Sequence, residues 1–237
     1  MLSLIIDTAL GYMGIAIGED AQILASLIIS KPITVTTIGI KAIDLLLSSI
    51  NKKKKDIGEV VVSGGPGTFT SLRVGISLAK GICMALGIPI VPVSTLDAMA
   101  LTMKKCEGII VPVIDGKNNN MYVAEYVVHD SVVEKILDAS LINADSISKN
   151  KSKFSSNVKG DRLVTVVGID IEKYIGVLKM LYTNVRSFEV LDITQMVKAL
   201  HYISNKRLYN VQPVSPVEYT PIYLREPDVK IKTKSEE

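Results

Sequence analysis

The order in which short strands and helices follow one another repeats once along the chain, and that repetition restricts the fold more than any single motif. Residues 2–6, 12–17 and 23–29 are short apolar runs separated by turns, a spacing that predicts three successive strands. Pro32 closes the third run, and residues 34–51 are long and apolar enough for a helix. Residues 60–63 then read as a β-branched strand, 72–86 as a helix, 89–93 as a strand and 95–105 as a helix capped by Thr95. The second half starts over, with strands at 109–114, 122–128 and within 132–141, and a short helix at 145–149. A strand at 163–167, a helix at 171–182, a strand at 185–190 and a last helix at 193–206 complete it. Three strands, helix, strand, helix thus occurs twice, without sequence identity between the copies.

A duplicated βββαβα unit is the signature of an α/β, two-lobed, actin-like (ASKHA, ribonuclease-H-like) architecture. The division is expected near Cys106-Glu107-Gly108, giving an N-terminal lobe of residues 1–106 that carries the partner-binding helices, and a C-terminal lobe of 107–227. The lysine- and glutamate-rich residues 228–237 are expected to fray. Of the 237 residues 48% are hydrophobic, and 27 Lys+Arg face 24 Asp+Glu, which excludes dominant disorder. A core burying roughly 70–75% of the unfolded chain's surface is expected at this length.

The longest uncharged run, residues 81–96, is interrupted by Pro89 and Pro92, so no membrane span is expected. The apolar N-terminus lacks a basic leader and contains Asp7, which disfavours a signal peptide. Cys83 and Cys106 are the only cysteines and read as reduced thiols in a cytoplasmic protein. A formal charge of +3 is too small for autonomous nucleic-acid binding by counterion release. The one basic block, the four lysines of residues 52–55, has no interleaved aromatics and reads as a solvated loop rather than a phosphate patch.

Chemistry is concentrated in two places. Asp7-Thr8 ends the first strand, where a nucleotide-using protein of this architecture approaches phosphates; satisfying turn amides is the alternative role. The second place is residues 64–75, Gly-Gly-Pro-Gly-Thr-Phe-Thr-Ser-Leu-Arg-Val-Gly. Its glycines allow close backbone approach, Pro66 stiffens the turn, and Thr70 or Ser71 can cap the next helix. Gly65, Gly67, Thr68 and Arg73 could with Asp7 face a phosphate; equally, the stretch is a structural strand-to-helix turn. It is neither a Walker loop nor a Rossmann fingerprint. His129 and His201 stand at no metal-ligand spacing, no cysteine pair exists and no Gly-x-Ser-x-Gly elbow occurs, so neither catalytic residues nor a metal site is expected.

The helices around this turn are apolar on two faces. In residues 72–86, Leu72, Ile76, Ala79, Cys83 and Leu86 form one face and Val74, Leu78, Ile82 and Ala85 another. In the preceding helix, Ile40, Ile43, Leu47 and Ile50 stand on one face and Ile38, Ala42 and Leu45 on the next. A surface helix needs one apolar stripe. Two neighbours with two, bearing the small residues Gly75, Ala79, Gly81 and Ala85, predict a helix-pair surface for a partner. Ile40, Ile43, Leu47, Leu72, Gly75, Ile76, Ala79 and Cys83 are its expected residues, and Ala79→Glu is expected to block pairing without unfolding the monomer.

Residues 65–75 resemble the Gly-Pro-Gly-Ser-Phe-Thr-Gly-Leu-Arg-Ile-Gly motif of the TsaB (YeaZ) family of tRNA threonylcarbamoyladenosine synthesis. Ile6-Asp7-Thr8, Ala79-Lys80-Gly81, Val93-Ser94-Thr95-Leu96, Asp115 before Tyr122-Val123-Ala124, and Pro221-Ile222-Tyr223-Leu224-Arg225 extend the likeness. It is dense over residues 1–128 and thin over 129–215. The resemblance implies an actin-like fold and a non-catalytic subunit that pairs with the catalytic TsaD through first-lobe helices, joined by the ATPase TsaE. It implies self-association into a homodimer when TsaD is missing. ATP and metal are then expected on the partner subunits, with no cofactor here, and tRNA is met only through the complex. The product is N6-threonylcarbamoyladenosine beside the anticodon of tRNAs reading codons that begin with A.

The chain departs from the family pattern at Thr36-Thr37, where serine-histidine is common, at Ser71, where glycine is usual, and at Asp115-Gly116-Lys117 and Asn120. There the family has Asp-Ala-Arg followed by a glutamate, so a charged pair in the turn is lost. The rival reading is an autonomous actin-fold enzyme, an ATP-dependent kinase or a glycoprotease-like peptidase, with Asp7 and the glycine turn as its site. A third is direct tRNA binding by the lysines of residues 52–55.

Overall fold

The computed structural model describes residues 1–30, 35–146 and 162–221. β1 (Leu2–Asp7) is buried along its whole length, as a strand flanked on both sides and covered on both faces must be. β2 (Met13–Glu19) pairs with it antiparallel, Leu2 opposite Glu19 and Asp7 opposite Gly14. β3 (Gln22–Ile29), at the edge, alternates between exposed and half-buried positions. On the other side β4 (Ile57–Gly65) runs parallel to β1, and β5 (Ile90–Ser94) parallel to β4. The order is β3-β2-β1-β4-β5.

The second sheet repeats this order with β6 (Gly108–Asp115), β7 (Asn120–His129), β8 (Val132–Asn143), β9 (Val164–Gly168) and β10 (Val185–Val190), arranged β10-β9-β6-β7-β8. The fold is therefore the duplicated, two-lobe, actin-like one. β4 starts earlier than its apolar run because Glu59 sits inside it, and the helix expected at 171–182 is a 3-10 turn, Glu172–Tyr174, followed by a short α-helix. A 3-10 turn at Ala144–Ser146 stands where a helix was expected at 145–149, and the rest of that segment lies outside the described residues, as does the tail at 228–237.

Helices α1 (Val35–Ser49) and α2 (Phe69–Leu86) cover the outer face of the first sheet. α2 ends on Gly87, whose φ of 68° is the left-handed conformation that a helix C-terminus favours. By length and composition α2 is apolar enough to cross a membrane, a property that Arg73 and Lys80 hid from a search for uncharged runs. Here its inner face is closed against the sheet by Leu72, Ile76, Ala79 and Cys83.

Helices α3 (Thr95–Thr102) and α5 (Ile193–Lys206) lie between the two sheets, and α4 (Ile175–Leu181) covers the outer face of the second. α3 is capped by Ser94, not Thr95: the Ser94 hydroxyl accepts from the Asp97 amide at 3.4 Å. The lobes exchange helices. α3, from the first copy, packs on the second sheet, while α5, from the second copy, closes the inner face of the first. One apolar core runs through both, from Ile5, Val61 and Val91 to Ile110, Tyr126 and Leu200. Downstream of α5 the chain stays on the first sheet: Val214 bridges to Ile90, and Lys80 Nζ donates to the Tyr219 carbonyl at 2.9 Å.

Two buried carboxylates hold the exchanged helices. Glu59, 2% exposed, accepts from Ser3 Oγ at 3.0 Å, Ser204 Oγ at 3.1 Å and Arg207 Nη2 at 3.0 Å. Asp97 accepts from Lys135 Nζ at 2.7 Å and Tyr126 Oη at 2.5 Å, tying α3 to β7 and β8. An ion pair buried with its hydrogen bonds satisfied is costly to break from one side.

Candidate docking face and the glycine-proline turn

Asp7 ends β1 with no exposed surface. One oxygen accepts from the Tyr12 hydroxyl and the other from the Ala9 amide at 3.2 Å. Burial raises the carboxyl's pKa above its ordinary 3.8 against the lowering effect of its hydrogen bonds to Tyr12, Ala9 and Ser63; burial and the Asp7 charge raise Tyr12 in turn. The glycine turn closes on the same spot. A Cβ on Gly67 would stand 2.4 Å from the Ala9 carbonyl oxygen, and one on Gly75 would stand 2.2 Å from Thr8 Oγ1. Thr68 donates its amide to the Ala9 carbonyl at 2.8 Å and its hydroxyl at 3.3 Å, so it leads into α2 without capping it by its side chain. Thr8 Oγ1 donates to the Ser71 carbonyl at 2.7 Å.

Gly67 and Gly75 thus serve close packing of α2 on residues 8 and 9 of the β1–β2 turn, which is the structural alternative to a phosphate-facing role for Asp7, Gly65, Gly67, Thr68 and Arg73. Gly65 is buried with a φ of 106°, and Arg73 lies outside with its guanidinium 3.7 Å over the Phe69 ring. An aspartate whose folded pKa lies above 3.8 stabilises the fold below that pH and loses the contribution as pH rises toward the folded value. Asp7→Asn keeps an acceptor for Tyr12 without a charge. Its stability relative to the parent chain is expected to increase from pH 4 to pH 7 in urea melts, and an equal difference at both pH values would show that Asp7 is not so held.

The corresponding turn of the second lobe is charged. Asp115 accepts from Lys117 Nζ at 2.8 Å, Lys173 Nζ at 2.9 Å and Tyr174 Oη at 2.8 Å. Burial alone would raise its pKa, but these donors hold the carboxyl well below the usual range. The pair that the Asp115-Gly116-Lys117 sequence seemed to lose is thus supplied by Lys117 and Lys173.

The docking face also needs correction. Ile43 (2% exposed), Leu47 (2%), Leu72 (2%), Ile76 (3%), Ala79 (0%) and Cys83 (0%) form the inner faces of α1 and α2, packed on β1, β2 and β4. Gly75 is closed against Thr8, and the Cys83 thiol is pushed up to about 11 by burial, opposed by a backbone hydrogen bond from Val60. Among the eight residues expected to meet a partner, Ile40 is open at 43% exposed, and Ile43, though buried, also lines the trough between the two helices; the other six are closed within the lobe. The outward faces carry a different set. Ile40, Leu78, Gly81, Ile82, Ala85 and Leu86 line an apolar trough of about 380 Å³ between the two helices. Leu45 and Met84, 64% and 61% exposed, stand on the same two helices. Among the described residues no three His, Cys, Asp or Glu side chains group as a metal site.

The TsaD family model, tRNA N6-adenosine threonylcarbamoyltransferase, matches residues 37–232. The chain belongs to this TsaD/TsaB (YeaZ) family. Its relatives include the tRNA threonylcarbamoyladenosine biosynthesis protein TsaB of Bacillus subtilis (strain 168), 29% identical over 171 residues and 72% of each chain. TsaB of Escherichia coli (strain K12) is 27% identical over 151 residues, 60% of this chain and 65% of that one. Two solved structures from Pseudomonas aeruginosa share the fold with a TM-score of 0.74, at 17% and 16% identity, covering 94% of this chain and 99% of theirs. One is YeaZ, and the other is an uncharacterized protein with similarity to peptidase YeaZ. These relatives agree with the resemblance carried by residues 65–75.

Proposed function

We propose that this chain serves N6-threonylcarbamoyladenosine formation in cytoplasmic tRNA as a non-catalytic subunit, docking through α1 and α2 on a TsaD-like catalytic partner, with a TsaE-like ATPase joining the assembly. ATP and metal belong to those partners in this reading, and two copies of the chain pair through the same helices when the partner is missing. The observation that carries it is the apolar trough between α1 and α2. On a helix pair already filled on its inner side, Ile40, Leu45 and Met84 stand exposed beside the half-buried Leu78 and Ile82, and such patches mark interaction surfaces. The self-filled turn at Asp7 supports the non-catalytic part, because the position where this architecture handles phosphate is occupied by Tyr12 and Ala9.

The test contrasts two substitutions on one helix. Ala85 is exposed in the trough and Ala79 is buried beneath it. Ala85→Glu is expected to leave stability within about 0.5 kcal/mol, as exposed sites do, yet to weaken pairing with a TsaD-like subunit by at least about a hundredfold, since it would bury an unpaired charge in an interface burying about 800 Å² per partner. Ala79→Glu is expected to unfold the first lobe instead. Gel filtration showing Ala85→Glu still paired as tightly as the parent chain would remove the trough from the interface.

A further inference from the structure

α5 is the helix that the second copy contributes to the inner face of the first sheet, and two glycines of β2 let it lie close. His201, 2% exposed, projects from α5 onto Gly18, where an added Cβ would stand 2.6 Å from Nε2. One turn earlier Val197 meets Gly14, where an added Cβ would stand 2.9 Å from Val197 Cγ1. Residues four apart on a strand share a face, so both contacts press the same side of β2. We propose that His201 is an acid-sensitive catch, holding α5 on the first sheet while its imidazole is neutral and releasing the helix when the ring becomes an imidazolium.

Three observations carry the proposal. First, neither ring nitrogen has a hydrogen-bond partner among the described residues; the Asp20 carbonyl lies near the ring but outside hydrogen-bonding geometry. An imidazolium is a donor at both nitrogens, so a charge here would bury two donors with no acceptor set in bonding geometry. Second, the surrounding carboxylates are engaged elsewhere. Glu59 of β4 accepts from Ser3, Ser204 and Arg207, the Asp20 carboxylate from the N-terminal ammonium at 3.3 Å, and Glu19 from Lys52 at 3.5 Å. Third, the open side is cationic. A cleft of about 700 Å³ beside His201, between α5, the C-terminal end of α3 and the β2–β3 hairpin, is lined by Lys104, Lys105, Lys198 and Tyr202. A charged ring that swung outward would meet like charge.

Burial lowers the His201 pKa from its ordinary 6.5, against the raising effect of the Asp20 carbonyl and of the Glu59 and Asp20 carboxylates; the N-terminal ammonium lowers it further. A histidine so depressed contributes its full stability above 6.5 and loses it as pH falls from there toward the folded value. The element released is the one that also brings Ser204 to Glu59, so the first sheet's inner face opens at its junction with the second. Asp7, raised by burial, acts in the opposite direction with pH, and comparing the parent chain with a His201 variant cancels its contribution.

Urea melts of the full chain and of His201→Gln are run at pH 7.5 and pH 5.5. The unfolding constant of the parent, relative to that of the variant, is expected to rise about tenfold from pH 7.5 to pH 5.5, and His129→Gln is expected to keep the rise. Amide protection in α5, corrected for intrinsic exchange, is expected to fall about tenfold in the parent over the same interval. His129 and His201 are the only histidines, so a His129→Gln sample assigns the His201 ring resonances, which are expected to keep their neutral shifts in the folded chain at pH 5.5. Should His201→Gln fail to fold, the exchange and ring measurements on the parent decide alone. A ring that protonates above pH 6 in the folded chain, α5 protection that stays constant, or the same pH dependence in parent and variant would overturn the catch.

Discussion

Gly75→Ala is expected to destabilise the chain by about 2–3 kcal/mol, and most of that loss should disappear when Thr8 is also alanine. A Cβ at residue 75 would lie 2.2 Å from Thr8 Oγ1 and 3.1 Å from Thr8 Cγ2, while Thr8 Cβ is farther, at 3.2 Å. Either α2 moves away from the β1–β2 turn or Thr8 gives up its 2.7 Å hydrogen bond to the Ser71 carbonyl. Thr8→Ala alone removes that bond for about 1 kcal/mol. It also removes the two atoms in conflict, so Gly75→Ala in the Thr8→Ala background is expected to cost less than about 1 kcal/mol. Additive losses in a double-mutant cycle would mean that residue 75 is a glycine for some reason other than the approach of Thr8.

Glu59→Ala is the second large effect, at about 3–5 kcal/mol, or roughly 10 °C in thermal midpoint for a chain of this size. The substitution strands three donors: the Ser3 and Ser204 hydroxyls inside the core, and the Arg207 guanidinium at its edge. Two of the three come from the region of α5, so the loss falls on the packing that closes the first sheet. Arg207→Ala is expected to cost a comparable amount, because it leaves the Glu59 carboxylate, 3% exposed, without a cation although both serines still donate to it. A loss below about 1 kcal/mol for Arg207→Ala would place the stabilisation in the serine hydrogen bonds and not in the ion pair.

The succession of strands and helices was legible because each element writes its own period: Leu4–Ile6 of β1 and Val60–Val62 of β4 are aliphatic runs, and α5 spans the expected residues 193–206. The start of β4 was hidden by Gly58 and Glu59, a charged interruption that makes sense only once Arg207 and Ser204 arrive from the far end of the chain. The glycine motif was visible as spacing, but what fills its cradle is set by the path of residues 8 and 9, which no local pattern encodes. The trough was half visible. Two apolar faces on α2 could be read, yet their composition does not say which one lies on the sheet; Leu72, Ile76, Ala79 and Cys83 take that position, leaving Leu78, Ile82 and Ala85 outside.

The exchange of α3 and α5 between sheets bears on how the polypeptide is made. As it leaves the ribosome, the opening β-sheet has all five strands in place once Ser94 has emerged, yet the cover for its inner face is about a hundred residues away in synthesis. Val214 and Tyr219, which finish the outer edge, come later still. A greasy, half-clad nascent sheet must therefore wait for translation to end, in the care of chaperones, before the first lobe can become native.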